Sequence, residues 1–204
     1  MKRIKLEQNS EEWLRYRLGK VTGSKLKDIV TWKGTARKIG QYELVAERLS
    51  IDPFDIDDPR ERGHRLEQEG VLLFASEILG KKVKTDCGVW VSDEDPNMGI
   101  SPDGEVGTTG AIEIKCLSSA KHLQAYFEQQ IPSEYYEQSR QYFIINEKLK
   151  VLYFVFYDPR IPSMPLHHIE VHRKDVKDEI EFLRGYEKDT LKWVNERVNQ
   201  LMPI

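Results

Sequence analysis

Apolar residues recur first at helical and later at strand spacing along the chain. Trp13, Leu14 and Leu18 follow Asn9 and Glu12, whose spacing predicts a capping box, and Gly19 is placed to end that short helix. Thr22, Gly23 and Ser24 predict the start of a second helix carrying Leu26, Ile29 and Val30. A basic, polar loop from Trp32 to Lys38 precedes a third helix with Tyr42, Val45, Ala46 and Leu49 at helical spacing. An acidic connection over 52–59 leads into a long helix from about Pro59 to Leu79, with Gly80 as its stop.

The period changes at Lys82. Short β-rich runs at 82–85, 88–92, 98–101 and 111–117, separated by Asp, Asn, Gly and Pro, predict an antiparallel meander. Helices are expected over 119–130 and 133–147, strands over 151–157 and 167–172, and a final helix from about Val176 to Leu201. The expected class is α/β (α+β), a central mixed β-sheet flanked by helices. No repeat or long linker divides the 204 residues, so a single domain over 1–204 is expected.

Composition narrows the function. Cys87 and Cys116 are too few for a disulfide scaffold, a four-thiolate zinc site or a cysteine-ligated cluster, and are read as reduced thiols. His64, His122, His167, His168 and His172 show no spacing with cysteine that suggests zinc. No run approaches the roughly 18 apolar residues of a membrane span, and the first residues lack the apolar core of a signal peptide, so a cytoplasmic location is expected. The net charge of -3 hides a split: residues 1–50 hold twelve Lys/Arg against six Asp/Glu, and the remainder nineteen against twenty-eight. The overall charge speaks against nucleic acid, the basic end is open to a polyanion, and a solvated helical surface with scattered charge is the other reading, the one that charge alone favours.

The informative segment is Ser101-Pro102-Asp103-Gly104 followed by Ala111-Ile112-Glu113-Ile114-Lys115-Cys116. Alternation on a strand puts Glu113 and Lys115 on one face and Ile112, Ile114 and Cys116 on the other. Asp103, brought back by a short Gly-rich turn, adds a second carboxylate. Two carboxylates beside one ammonium suit a hard divalent cation, magnesium or manganese, better than zinc. A Glu-x-Lys pair alone is commonplace, but its combination with Pro-Asp-Gly on an otherwise apolar strand is not. Thr22 and Ser24 flank Gly23 at a helix start, where free N–H groups favour an anion that Arg17 can grip with paired hydrogen bonds; an ordinary N-cap is the other reading.

The Asp103, Glu113 and Lys115 set resembles the PD-(D/E)xK nuclease motif, and the wider chain resembles the lambda exonuclease (YqaJ-type viral recombinase) family. The resemblance runs from Trp13 to about Arg160. Its blocks are Trp13 with Arg17-Leu18-Gly19, Thr22-Gly23-Ser24, Gly63 and Glu67, Ser101 to Gly104, Glu113 to Cys116, Gln138 with Gln141-Tyr142, and Tyr157-Asp158-Pro159-Arg160. It implies a restriction-endonuclease-like core and a Mg2+-dependent exonuclease, with Mn2+ able to substitute. The expected reaction degrades the 5′-ended strand of linear duplex DNA from 5′ to 3′, releases mononucleotides and leaves a 3′ overhang for strand annealing.

In that reading Asp103, Glu113 and the Ile114 carbonyl hold one ion that activates a water, and Lys115 orients or deprotonates the water or offsets charge on the phosphate. The resemblance adds Glu67 as ligand of a second ion shared with Asp103, Gln138 beside the water and Lys115, and a 5′-phosphate pocket at Arg17, Thr22 and Ser24. Trp32, Lys33, Arg37 and Lys38 are candidate DNA contacts, a surface loop being the other reading. It further implies a homotrimeric ring, a single-strand-annealing partner and, for a phage- or prophage-encoded chain, the bacterial host cytoplasm. The rival functions are a sequence- or structure-specific endonuclease of the same fold and a noncatalytic DNA-end-binding protein. The end-phosphate pocket speaks against the first, and the intact acidic cluster against the second.

Overall fold

The computed structural model describes residues 1–32, 38, 40–41, 44, 61–117, 119–159 and 164–202. In chain order these form β1 (Lys2–Ile4), α1 (Glu11–Arg17), β2 (Val21–Thr22), α2 (Gly23–Ile29) and α3 (Glu61–Phe74), which widens into a π-helical turn at Ala75–Leu79. Strands β3 (Val83–Lys84), β4 (Val89–Val91), β5 (Met98–Ile100), β6 (Gly104–Val106) and β7 (Gly110–Lys115) follow. The chain continues through α4 (Ser119–Glu128), α5 (Tyr136–Ile145), β8 (Val151–Tyr157), β9 (Leu166–His172) and α6 (Lys177–Leu201). The helix expected around Tyr42 and the connection over 52–59 fall largely outside the described residues, although Leu44 is helical and fully buried.

The class is α+β, as the periodicity predicts, but the meander is not one sheet. β4 and β5 join β1 and β2 in a four-stranded sheet ordered β1-β4-β5-β2, whereas β3, β6 and β7 join β8 and β9 in a five-stranded sheet ordered β3-β6-β7-β8-β9. The chain changes sheets at Ser101-Pro102-Asp103. Proline supplies no N–H for a ladder, and β6 restarts on the far side of it, paired with β7. β7 and β8 run parallel, so a crossover through α4 and α5 must connect them.

Helix ends follow local chemistry. Ser10, not Asn9, caps α1: its Oγ accepts from the Trp13 backbone N at 3.1 Å, while Asn9 adopts a left-handed φ of 63°. Gly19 and Gly80 take φ of 66° and 55° where the helical periodicity stops.

The five-stranded sheet is buried on both faces. Ile112, Ile114, Val155 and Tyr157 pack against Val71 and Phe74 of α3 on one face. Ala111, Leu152, Phe154 and Phe156 pack under α5 and α6 on the other, with Tyr142, Phe143, Leu183 and Leu191. Glu113 and Lys115 pair in register with Phe154 and Phe156, so they belong to the face covered by α5.

Candidate active site

Alternation on β7 leaves a carboxylate in an apolar layer. Glu113 is 3% exposed. A buried charge must be paired and hydrogen-bonded, and three donors meet it. Lys115 Nζ and Gln138 Nε2 each lie 2.5 Å from Oε1, and the Tyr142 hydroxyl donates to Oε2. Gln138 and Tyr142 stand four residues apart on α5, hence on one helical face. Gln138, expected by resemblance beside the water and Lys115, bonds Glu113 at the same oxygen that Lys115 meets. The Tyr142 contact is not anticipated from the sequence, where Tyr142 figures only in a block of the resemblance; its four-residue spacing from Gln138 is the signal for it.

Asp103 reaches the pair through an incomplete ladder. Its N–H donates to the Ile112 carbonyl at 3.1 Å, extending the β6–β7 pairing, and its Oδ2 accepts the Ile114 N–H at 2.8 Å. The side chain thus takes a donor that the next ladder residue would otherwise use. In a strand the N–H and C=O of one residue point to the same side, so the Ile114 carbonyl also faces Asp103. Gln8 Nε2, a contact with no sequence signal, donates to Asp103 Oδ1 at 2.9 Å.

Glu67 arrives from the opposite face of the sheet on α3. That helix lies close because Gly70 has no side chain: a Cβ there would stand 2.9 Å from Tyr157 Cβ and closer still to Ile114 Cδ1. Tyr157 also donates to Glu69 Oε1 at 2.6 Å, fixing the same helix. Glu67 and Asp103 share the lining of a cleft of about 210 Å³, together with Glu7, Gln8 and Cys87.

Electrostatics mark this convergence. Burial, then the negative charges of Glu113 and Glu67, push the Asp103 carboxyl up to about 8. Burial alone would lower Lys115, but the attraction of Glu113 and Asp103 outweighs it and holds the ammonium protonated above its ordinary range. Its Nζ also lies 5.1 Å from the Tyr135 ring centroid. Burial, with Glu67 and Asp103 next, pushes the Cys116 thiol up to about 12, and burial likewise raises Cys87. Neither is a ready thiolate at neutral pH.

These groups fit a hard divalent cation. Among the described residues no three acidic, cysteine or histidine side chains close into a ready cage. Yet the ionisation of Asp103 is suppressed by burial and by two neighbouring carboxylates, whose repulsion a cation relieves, and the available donors are oxygens. Each carboxylate oxygen also has two acceptor positions, so the hydrogen-bond donors already present fill Glu113 Oε1 but leave room at Glu113 Oε2 and at both Asp103 oxygens.

The second cluster is assembled at the start of α2. Arg17 Nη2 lies 3.4 Å from Ser24 Oγ, which lies 3.4 Å from Thr22 Oγ1, and the Arg17 guanidinium rests 4.3 Å above the Trp13 ring. Thr22 occupies the N-cap position without a side-chain capping bond, contrary to the ordinary-cap reading. Gly23 lets α2 approach α5: a Cβ there would lie 2.7 Å from Ile100 Cδ1 and 3.1 Å from Gln138 Cγ. The two clusters therefore share a packed joint.

Trp32 is anchored rather than free. Its Nε1 donates to Glu137 Oε1 at 3.0 Å and its ring stacks on Phe182. Lys38 donates to the Lys27 carbonyl at 3.0 Å near the end of α2. Lys33, Arg37 and Arg160 lie outside the described residues.

The profile of the YqaJ-like viral recombinase domain matches residues 12–148. The chain belongs to that family. This YqaJ-like protein is similar, at 29% identity and a TM-score of 0.83, to the crystal structure of an alkaline exonuclease (LHK-Exo) from Laribacter hongkongensis, over 94% of this chain and 96% of that one. It is also similar to LHK-Exo in complex with dAMP, at 28% identity and a TM-score of 0.77, over 94% of this chain and 97% of that one. No curated protein matches the YqaJ-like chain. No helix among the described residues is long and apolar enough to cross a membrane.

Proposed function

We propose that this YqaJ-like protein is a Mg2+-dependent exonuclease that degrades the 5′-ended strand of linear duplex DNA from 5′ to 3′, releasing mononucleotides and leaving a 3′ single-stranded overhang. The observation that carries the reading is the ion pair of buried Glu113 with half-buried Lys115 on β7, with Asp103 drawn beside it against its ordinary acidity. Family membership and the likeness to an alkaline exonuclease support the nuclease chemistry.

Asp103, Glu113 and the Ile114 carbonyl are the residues to hold one ion, and Glu67 with Asp103 a second. Bound there, magnesium, or manganese in its place, supplies a Lewis acid for the phosphate and acidifies the attacking water. Lys115, paired with Glu113, is the residue to orient or deprotonate the attacking water or to offset negative charge gathering on the phosphate. Gln138 and Tyr142 keep the Glu113 carboxylate aimed. Arg17, Thr22 and Ser24 receive the terminal 5′-phosphate, with Trp32, Lys33, Arg37 and Lys38 beside the DNA. A homotrimeric ring and a single-strand-annealing partner in the cytoplasm complete the proposal by family resemblance.

The test compares linear duplexes carrying 5′-phosphate or 5′-hydroxyl ends with closed circular DNA, in magnesium or EDTA, for wild type and Lys115→Ala. Nucleotide release from linear DNA alone, faster with 5′-phosphate and abolished by EDTA and by the substitution, is expected. Cutting of the circle would point to an endonuclease, and no release under any condition to an end-binding protein.

A further inference from the structure

We propose that Trp32 and Phe182 form a stacking platform for an unpaired base of the DNA strand. The two rings lie 5.2 Å apart at an interplanar angle of 13°, and yet they are 50% and 46% exposed. Exposed large aromatics are usually scattered singly. Here two are stacked on each other and locked in place, which removes most of the ordering cost of receiving a third ring.

The lock is specific. Trp32 Nε1 is tied to Glu137, and its edge meets Tyr136 with centroids 6.3 Å apart. Tyr136 in turn lies 3.8 Å beneath the Arg140 guanidinium, whose Nε is bound to Glu179 of α6 at 2.6 Å. Glu137 immediately precedes Gln138, and Tyr135, beside Lys115, immediately precedes Tyr136. The platform is thus braced on the turn of α5 that also holds the candidate active site.

Charge selects the occupant. Among the described residues from 20 to 38, Lys20, Lys25, Lys27 and Lys38 stand against one acidic residue, Asp28. Around Phe182 on α6, Asp178 and Glu181 are exposed. A nucleic-acid strand satisfies both conditions when its phosphates lie on the α2 side, away from Asp178 and Glu181, and a base covers the rings. Within a duplex both faces of an internal base are already stacked, so the platform takes a base outside the duplex.

This inference rests on the DNA-processing reading of the site, and its test is separable from turnover. Affinity is measured in calcium, without magnesium, for a blunt 5′-phosphorylated hairpin duplex and for the same duplex bearing a 3′ oligothymidine tail with one 2-aminopurine. Phe182→Ala should weaken the tailed DNA about tenfold relative to the blunt DNA and lift the 2-aminopurine quenching, as expected for one lost base-stacking contact. Trp32→Phe, which keeps an aromatic face, should retain most of the preference for the tail. Equal loss for both DNAs, or no change in either, overturns the platform. So does an altered sedimentation mass with unchanged DNA affinity, which would give the rings to a second copy of the chain. Wild-type protein that releases no nucleotide in magnesium would sink the exonuclease reading alone, because the calcium measurement still reads the platform.

Discussion

Tyr142 donates its hydroxyl hydrogen to Glu113 from a position with no exposed surface, and the Trp90 ring meets it edge-on at 6.2 Å. The phenol is pushed well above its ordinary range by burial and by Glu113, so it remains a donor at every working pH. It holds one carboxylate oxygen while Gln138 and Lys115 hold the other. Tyr142→Phe preserves the ring packing and removes only that donor. A hydrogen bond to a charged group contributes ~1.5–3 kcal/mol, so nuclease turnover should fall about tenfold or more. Melting temperature and steady-state rates measured together separate this from unfolding. Undiminished turnover would show that Glu113 needs no aiming from α5.

Asp103 makes the metal-free protein sensitive to base. Its folded value of about 8 lies above the ordinary value of 3.8, so the native state binds more protons than the unfolded chain between those limits. The stability this group contributes is fully present below about pH 4 and is lost as pH rises through about 8. Melting curves in EDTA should therefore carry a descending component across that window, and Asp103→Asn should flatten it. Identical pH slopes for wild type and variant would remove Asp103 as its source.

Much of this arrangement is legible because it is local. The apolar alternation of β7 broken by Glu113 and Lys115 needs only the two-residue period of a strand, and the stops at Gly19 and Gly80 need only glycine's access to left-handed φ. Sheet partnership is different. β4 pairs with β1, more than eighty residues earlier, and nothing within Val89–Val91 names that partner. Gln8 is hidden for the same reason, since a glutamine in a loop signals nothing until folding carries it to Asp103. Asn9 and Ser10 are both capable caps, and only the backbone decides that Ser10 caps while Asn9 turns. Tyr142 is half legible: its burial follows from the helical pattern, but its hydrogen bond depends on β7 passing beneath α5.

Gly70 sets the height of α3 above the sheet. In Gly70→Ala the added methyl meets Tyr157 at 2.9 Å and Ile114 more closely, so the helix must shift. Overpacking of this kind costs ~1–3 kcal/mol, partly offset by about 1 kcal/mol of improved helix propensity. Urea unfolding should show a modest net loss. Because Glu67 lies one turn earlier on the same helix, turnover should fall further than stability does. A stability loss without an activity loss would mean that Glu67 tolerates displacement and has no role in holding an ion.

The end-phosphate cluster is tested by a ratio rather than a rate. Arg17, Ser24 and Thr22 lie in a chain of 3.4 Å contacts, with the guanidinium seated on Trp13. A doubly charged phosphate monoester gains more from such a cluster than a terminal hydroxyl does, because charge-assisted hydrogen bonds are about twice as strong as neutral ones. Wild type should therefore consume 5′-phosphorylated duplex faster than 5′-hydroxyl duplex. In Arg17→Ala that ratio should approach one. Arg17→Lys should restore it only in part, since an ammonium keeps the charge but not the forked geometry. Gly23→Ala provides an independent check: its methyl presses on Ile100 and approaches Gln138, so it should disturb both the end preference and the turnover on either substrate. If the ratio persists in Arg17→Ala, the terminal phosphate is bound elsewhere and the cluster only joins α2 to α1.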